Sequence, residues 1–236
     1  MNKQPLNIDE DNQFSLSTGD LMAALLLIFV LLLIGTMLKL QEEFDNKSDV
    51  AEKYKELKGE LYLDLNKEFK DSLSAWQAEI DSTTLTIRFK EPDVLFENGE
   101  FELKKSFKGI LKYFFPRYIN VLSNDKYINH IEEIRIEGHT SSEGKEGESI
   151  EEAYFSNMKL SQNRTLSVLK FCLSQIDKNK LEWTKDRTTA NGLSSVKPIA
   201  NNSTVIGRRQ NRRVEFRIKT DAEKQIIKML DYAPDK

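Results

Sequence analysis

A chain of 236 residues is long enough for one domain of ordinary size with accessory segments, and too short for a large multidomain enzyme. Its 35 Lys+Arg against 38 Asp+Glu give a net charge of -3, which supplies no general basic surface and so no expectation of direct nucleic-acid binding. The lone Cys172 excludes an intrachain disulfide framework and a multi-cysteine zinc site. Two histidines, His130 and His139, cannot build a His-rich metal centre, so neither a metal nor another cofactor is expected.

Residues 1–19 form a short polar tail in which Lys3 faces Asp9, Glu10 and Asp11. From Leu21 to Leu38 there is no charge, and at the helical rise this run spans roughly 27 Å, close to the hydrocarbon thickness of a bilayer. It predicts a single membrane-crossing helix over residues 20–39, retained as an anchor because the tail lacks the basic start of a cleaved signal. Asp20 stands at its edge. A carboxylate there is costly unless hydrated, protonated or paired. Two readings stay open: an N-terminal cap shared with Ser17 and Thr18, or an ion-carrying group on a small-residue face with Ser17, Ala23, Ala24 and Leu27.

Residues 40–82 hold no proline, one glycine and many Asp, Glu and Lys, which predicts a long polar helical linker. Tyr54, Leu57, Leu61, Leu65, Phe69, Leu73, Trp76 and Ile80 recur every three or four positions, one stripe that needs a surface to cover it. The later part is expected to pack on the domain that follows while the earlier part is a solvated stalk. The alternative is a plug formed by residues 41–61 over a channel mouth.

A globular domain is expected over residues 83–219, with a tail at 220–236. Thr84 to Phe89 alternates as a strand and Asn98-Gly99 marks a turn. Phe101 to Leu122 reads as a helix interrupted by Pro116, Ile131 to Glu137 as a strand, and Tyr154 to Ile176 as a helix. A short strand fits near Trp183 to Asn191, and Val214 to Ile218 is the last strand. That order gives an α/β (α+β) domain in which helices cover a mixed sheet.

Four motifs lie on these elements: Val94-Leu95-Phe96, Gly138-His139-Thr140 after a strand, Leu160-Ser161-Gln162-Asn163-Arg164 within a helix, and Gly207-Arg208-Arg209-Gln210-Asn211-Arg212-Arg213-Val214-Glu215 into the last strand. Together they resemble the OmpA-like peptidoglycan-binding domain. The resemblance implies a pocket for a stem-peptide carboxylate, gripped by Arg164 with Asn157 and Leu160 on neighbouring turns, Asn211 and Arg212 from the last motif, and Tyr154 as a wall. A guanidinium suits that task because its planar fork can hold a carboxylate through two parallel bonds. Many members carry an aspartate after Gly-His-Thr, facing the ligand's ammonium. This chain has Ser141, which keeps a hydrogen bond to the ligand and loses the charge, then Ser142 and an acidic insertion, Glu143 to Glu152, so an insertion carboxylate substitutes or binding is altered. His139 is expected to fix a loop by a hydrogen bond, the run Arg208 to Arg217 to alternate on a strand, and Cys172 to fill the inner face of its helix.

An acidic tail, one span with an aspartate at its start, a helical stalk and an OmpA-like domain together resemble the MotB-like B subunits of rotary ion-driven stators, and among them the branch belonging to the Zorya antiphage defence system. The resemblance implies a proton-driven motor of the bacterial inner membrane in which Asp20 carries the ion. It also implies a homodimer inside a pentameric MotA-like (ZorA-type) subunit, in contact with the lipid bilayer and peptidoglycan. The N-terminus would be cytoplasmic, the C-terminal domain periplasmic, and no enzymatic activity is expected. A flagellar-type stator subunit and a purely structural peptidoglycan tether are the alternatives.

Overall fold

The computed structural model describes residues 8–90, 95–97 and 99–221. Chain contacts divide it into two compact units, Met1–Glu52 and Lys53–Lys236. Helix α1 runs from Ile8 to Leu73, so the segment read as a tail is helical from Ile8 onward. Asp20 therefore lies three turns inside a continuous helix, where every backbone N–H already has a partner, and the capping role is ruled out by position. Within the first unit, Gly19–Asp45 is a 27-residue stretch with mean hydropathy 2.9 and no part of it buried. Its apolar side chains, from Leu21 (70% exposed) to Leu38 (66%), are bare on every side, and among the described residues it is the one helix long and apolar enough to cross a membrane. Such a surface is stable only in lipid or against other helices.

The second unit opens with the end of α1. Leu61, Leu65 and Phe69 are fully buried and Leu57 and Leu73 half-buried, so the stripe seen in the sequence packs into the domain core. Polar pairs flank it: Tyr127 donates its hydroxyl to Asp64 at 2.6 Å, and Arg117 donates to Glu68 at 2.6 Å. This core contribution moves the start of the compact domain to Lys53, thirty residues before the expected boundary.

The stripe does not continue as helix to Ile80. The helix stops at Leu73, Gln77 takes a positive φ of 49°, and Ala78–Asp81 forms a short strand, β1. Asp81 accepts from the N–H groups of Thr83 (2.8 Å) and Thr84 (3.0 Å), which turns the chain into β2, Thr86–Phe89. Helix α2 (Lys105–Leu122) contains Pro116 without a break. The proline costs one hydrogen bond on a side that includes exposed Tyr113, while Phe107, Leu111, Phe114, Phe115, Tyr118 and Ile119 hold the other side against the sheet. Residues 101–104 precede the helix rather than belonging to it. Leu95 and Phe96 are buried, but Phe96 makes an isolated bridge to Leu103 and joins no sheet; Val94 lies outside the described residues.

After β3 (Ile131–His139) come α3 (Ile150–Leu173), α4 (Lys178–Arg187), β4 (Thr188–Gly192), α5 (Val205–Asn211) and β5 (Arg213–Thr220). Trp183 to Arg187 are thus helical and the predicted short strand begins at Thr188. Likewise Gly207 to Asn211 form a helix, and only from Arg213 does the basic run alternate on a strand. The sheet order is β1-β2-β5-β3-β4, antiparallel except for the parallel β3–β4 pair. That mixed sheet with covering helices agrees with the fold class read from the sequence.

Alternation separates the two faces of the sheet. Ile87, Phe89, Ile134, Ile136, Val214, Phe216 and Ile218 meet the helices, and Phe114 is the hub of their contact, with ring centroids 4.9 Å from Phe216 and 5.2 Å from both Phe69 and Phe89. Val168 and fully buried Cys172 complete this layer from α3. The opposite face carries Arg88, Glu137, His139, Arg213 and Glu215. Two glycines allow α3 to lie close on the sheet. A Cβ at Gly138 would sit 2.7 Å from Thr165 Cγ2, and one at Gly192 would sit 2.3 Å from the backbone nitrogen of Gln162.

Candidate ligand-binding cleft

The close approach of α3 to β3 and β4 opens a cleft of about 750 Å³ at the end of the sheet. Its walls come from three stretches of chain: Gly99 and Phe101 before α2, the loop from Thr140 to Glu148, and one face of α3 with Asn157, Leu160, Asn163 and Arg164; Arg212 closes it from the start of the last strand. Ser149 fixes the beginning of α3 with a capping box. Its hydroxyl accepts from Glu152 N–H at 3.2 Å while the Glu152 carboxylate accepts from Ser149 N–H at 2.8 Å. The last residues of the acidic insertion therefore form the first turn of α3, where acids suit the helix dipole.

Arg164 sits at the floor of the cleft, 8% exposed. Its Nε donates to the Glu100 carbonyl at 2.8 Å, Nη2 to the Glu97 carbonyl at 3.3 Å, and its plane lies 4.8 Å from the Phe96 ring centroid. These contacts orient the guanidinium and hold the segment before α2, yet none neutralises it. No carboxylate closes on Arg164 among the described residues, and burial together with Arg212 lowers its pKa to about 10, so it remains a cation at neutral pH. Arg164 is thus a buried cation facing a cleft, with the Glu100 carboxylate near enough to offset its shift only in part.

Of the seven residues expected to bind ligand, Ser141, Asn157, Leu160, Arg164 and Arg212 meet in this cleft. Tyr154 does not line it; its ring is 40% exposed beside Phe155, and its carbonyl accepts from Ser194 Oγ at 3.1 Å. Asn211 is fully buried away from it. Its Oδ1 accepts from Ile199 N–H (2.8 Å) and Ala200 N–H (3.0 Å), and its Nδ2 donates to Ala200 O and Asn202 Oδ1, both at 2.8 Å. With all four bonds made within the chain, Asn211 is a clamp for the loop before α5 and has no bond left for a ligand.

Several lining residues escaped the sequence reading. Lys159 and Asn163 flank the predicted helical positions by a fraction of a turn, a signal present in the 3.6-residue period. For Phe101 the turn at Gly99 (φ 76°) was legible, but not that the residues after it reach the rim of the cleft. The insertion supplies Glu143 and Glu148. Glu143 Oε2 lies 3.1 Å from Arg208 Nε and 3.8 Å from Arg212 Nη1. Glu148 accepts from Ser156 Oγ (2.7 Å) and Lys145 N–H (2.8 Å), and these two bonds hold its carboxyl below the ordinary carboxylate range.

His139 makes no loop-fixing hydrogen bond. It is 3% exposed, neither ring nitrogen has a protein partner, and burial plus the nearby Arg213 pushes its pKa down to about 3, leaving a neutral ring. Its Nε2 lies 3.8 Å from carboxylate oxygens of both Glu137 and Glu215, a donor set of the kind that holds a metal. The charges around it argue otherwise. Arg88 and Arg213 each donate to Glu215 Oε1 at 2.6 Å, so a divalent cation would enter beside two guanidiniums that already pair with Glu215. We read this as a buried structural ion network on the sheet face opposite the aromatic core.

The sequence profile of the OmpA family matches residues 95–212. Over 230 residues, covering 97% of each chain, the sequence is 42% identical to Zorya protein ZorB of Escherichia coli. Among solved structures it is similar to a putative MotB-like protein from Desulfovibrio vulgaris, with 22% identity over 74% of this chain and 98% of that one and a TM-score of 0.54. A more distant likeness is the cell wall anchor of the type VI secretion system from Pseudomonas aeruginosa, at 22% identity over 66% of this chain and 96% of that one with a TM-score of 0.47.

Proposed function

Because the chain belongs to the OmpA family, which is an anchoring family and not an enzyme family, and along nearly its whole length to the family of Zorya protein ZorB, we propose that it is the B subunit of a proton-driven rotary motor in antiphage defence. In this reading α1 crosses the bacterial inner membrane once, with the N-terminus in the cytoplasm and the second unit in the periplasm. Two copies form the axle of a pentameric MotA-like (ZorA-type) ring. Asp20, a carboxylate at the edge of the apolar stretch, is the group that carries the proton from one side to the other. The second unit grips peptidoglycan and resists the torque.

The observation that carries the anchoring half is the buried Arg164, held by carbonyls and with no carboxylate in ion-pair distance among the described residues, at the floor of a cleft lined by polar groups. A stem-peptide carboxylate is the anion it suits. Removal of one charge-assisted hydrogen bond costs about 1.5–3 kcal/mol, so Arg164→Ala is expected to weaken binding of the chain to purified peptidoglycan sacculi about tenfold to a hundredfold. Arg164→Lys is expected to rescue little, lacking the fork. Because Arg164 also holds the carbonyls of Glu97 and Glu100, Arg212→Gln serves as a second variant that leaves those bonds intact; it should weaken binding too. Unchanged binding by well-folded Arg164→Ala and Arg212→Gln proteins would exclude the cleft as the wall site.

A further inference from the structure

The chain as a whole is slightly acidic, yet two adjacent helices of the second unit are not. Helix α2 contains no acid, and α3 has none after Glu151 and Glu152 in its first turn. Lys105, Lys108 and Lys112 on α2 and Lys159 and Lys170 on α3 are all exposed. None of the five forms an ion pair among the described residues, whereas Lys104 pairs with Glu97, and Arg117 with Glu68 of α1. Spacings of three and four residues put Lys105, Lys108 and Lys112 on one side of α2 over roughly 10 Å, and Lys108 stands half a turn out of phase with Arg117. Like charges at these spacings repel, so the folded domain carries a row of cations that nothing within the chain neutralises. The row begins at the cleft: Phe101, shortly before Lys105, is on its rim, and Lys159 belongs to its lining.

We propose that these exposed lysines form a second wall contact, a basic track continuous with the cleft that binds further carboxylates of the polymer whose stem peptide the cleft holds. Charge complementarity favours this occupant. Peptidoglycan repeats its stem peptides along each glycan strand and so presents carboxylates in series, of which the cleft takes one. Arginine suits the fixed geometry of a cleft; lysine, a point charge on a flexible stem, suits carboxylates in varied positions. Each such contact is weak alone, but it forms within a complex that the cleft already holds, so the contacts multiply the overall affinity. This inference rests on the cleft being the wall site.

The test uses the full chain in nanodiscs of zwitterionic lipid. Three probes are compared: purified sacculi, a single soluble disaccharide–stem-peptide unit that can fill the cleft alone, and phosphatidylglycerol vesicles, because an anionic lipid surface also attracts lysines. The triple variant Lys105→Gln/Lys108→Gln/Lys112→Gln should bind sacculi about tenfold more weakly at low salt and lose less binding as salt is added. Its binding of the soluble unit should be unchanged and its melting temperature no lower, since repulsion has been removed. Lys53→Gln/Lys55→Gln/Lys178→Gln, exposed lysines on α1 and α4, should bind sacculi like the unmutated chain. Unchanged sacculus binding by the first triple variant, or an equal loss by the second, would overturn the track, while binding of the soluble unit that still depends on Arg164 would leave the cleft standing. Loss of vesicle binding with sacculus binding intact would assign the lysines to a membrane surface and overturn the proposal. Failure of the unmutated chain to bind either wall probe would overturn both track and cleft.

Discussion

Arg164 has two duties that pull on the same group. Its Nε and Nη2 hold the backbone carbonyls of Glu100 and Glu97, and its charge remains available to the cleft. The family resemblance that the motifs carry singled it out, and with it Ser141, Asn157, Leu160 and Arg212. The same motif misdirected the reading at Asn211, because a motif does not say whether an amide faces ligand or loop. His139 shows a similar limit. Its neighbours Glu137 and Glu215 come from two strands whose register, Glu137 opposite Glu215 and His139 opposite Arg213, cannot be read from one chain. The structure yields a pH prediction there. The folded imidazole stays neutral down to about 3, whereas an unfolded histidine takes a proton near 6.5. The unfolded state thus binds the proton first, and the contribution of His139 to stability is complete above pH 6.5 and declines as pH falls from 6.5 toward 3. By pH 5 the loss is about 2 kcal/mol. Thermal unfolding at pH 7 and pH 5 should show a smaller pH-dependent drop for His139→Gln than for the unmutated chain; equal drops would mean the ring is not held neutral.

At the scale of elements, hydrophobic period located most helices and strands but not their ends. Helix α1 ends at Leu73 although Trp76 and Ile80 continue its period, because Ile80 pairs with Ile87 on an edge strand instead. A stripe that serves first a helix and then a strand looks continuous in sequence. Pro116 errs in the other direction: a local helix breaker is overruled by the aromatic contacts of Phe114, Phe115 and Tyr118. The glycines make the packing of elements testable. Gly192→Ala would set a Cβ against the backbone of Gln162, which no rotamer change relieves, so β4 must move off α3. It should destabilise the domain by about 1–3 kcal/mol and lower its melting temperature by several degrees. Gly109→Ala, on an exposed turn of α2 with nothing within 4 Å, should instead stabilise by about 0.5–1 kcal/mol. Equal effects at the two positions would mean that close approach at Gly192 is not what positions the cleft.

For the molecule as a whole, the two units carry different halves of the proposed task. The second holds the cleft with Arg164 at its floor, set at the end of a mixed sheet. The first is a helix whose apolar surface is bare throughout and whose Asp20 lies within the helix at the edge of that surface. The first was visible in the sequence for a physical reason: charge-free length needs no tertiary knowledge, and a carboxylate beside it stands out; the second was visible only through its motifs' family resemblance. Coupling between them is the central claim, and Asp20→Asn tests it because the change keeps size and hydrogen bonding while removing the ionisable proton. The decisive measurement is plaque formation by a sensitive phage on cells producing the Asp20→Asn chain together with its membrane partner, at matched membrane levels. The account predicts that protection is abolished while the variant still inserts and still binds sacculi; protection equal to that given by the unmutated chain would contradict it.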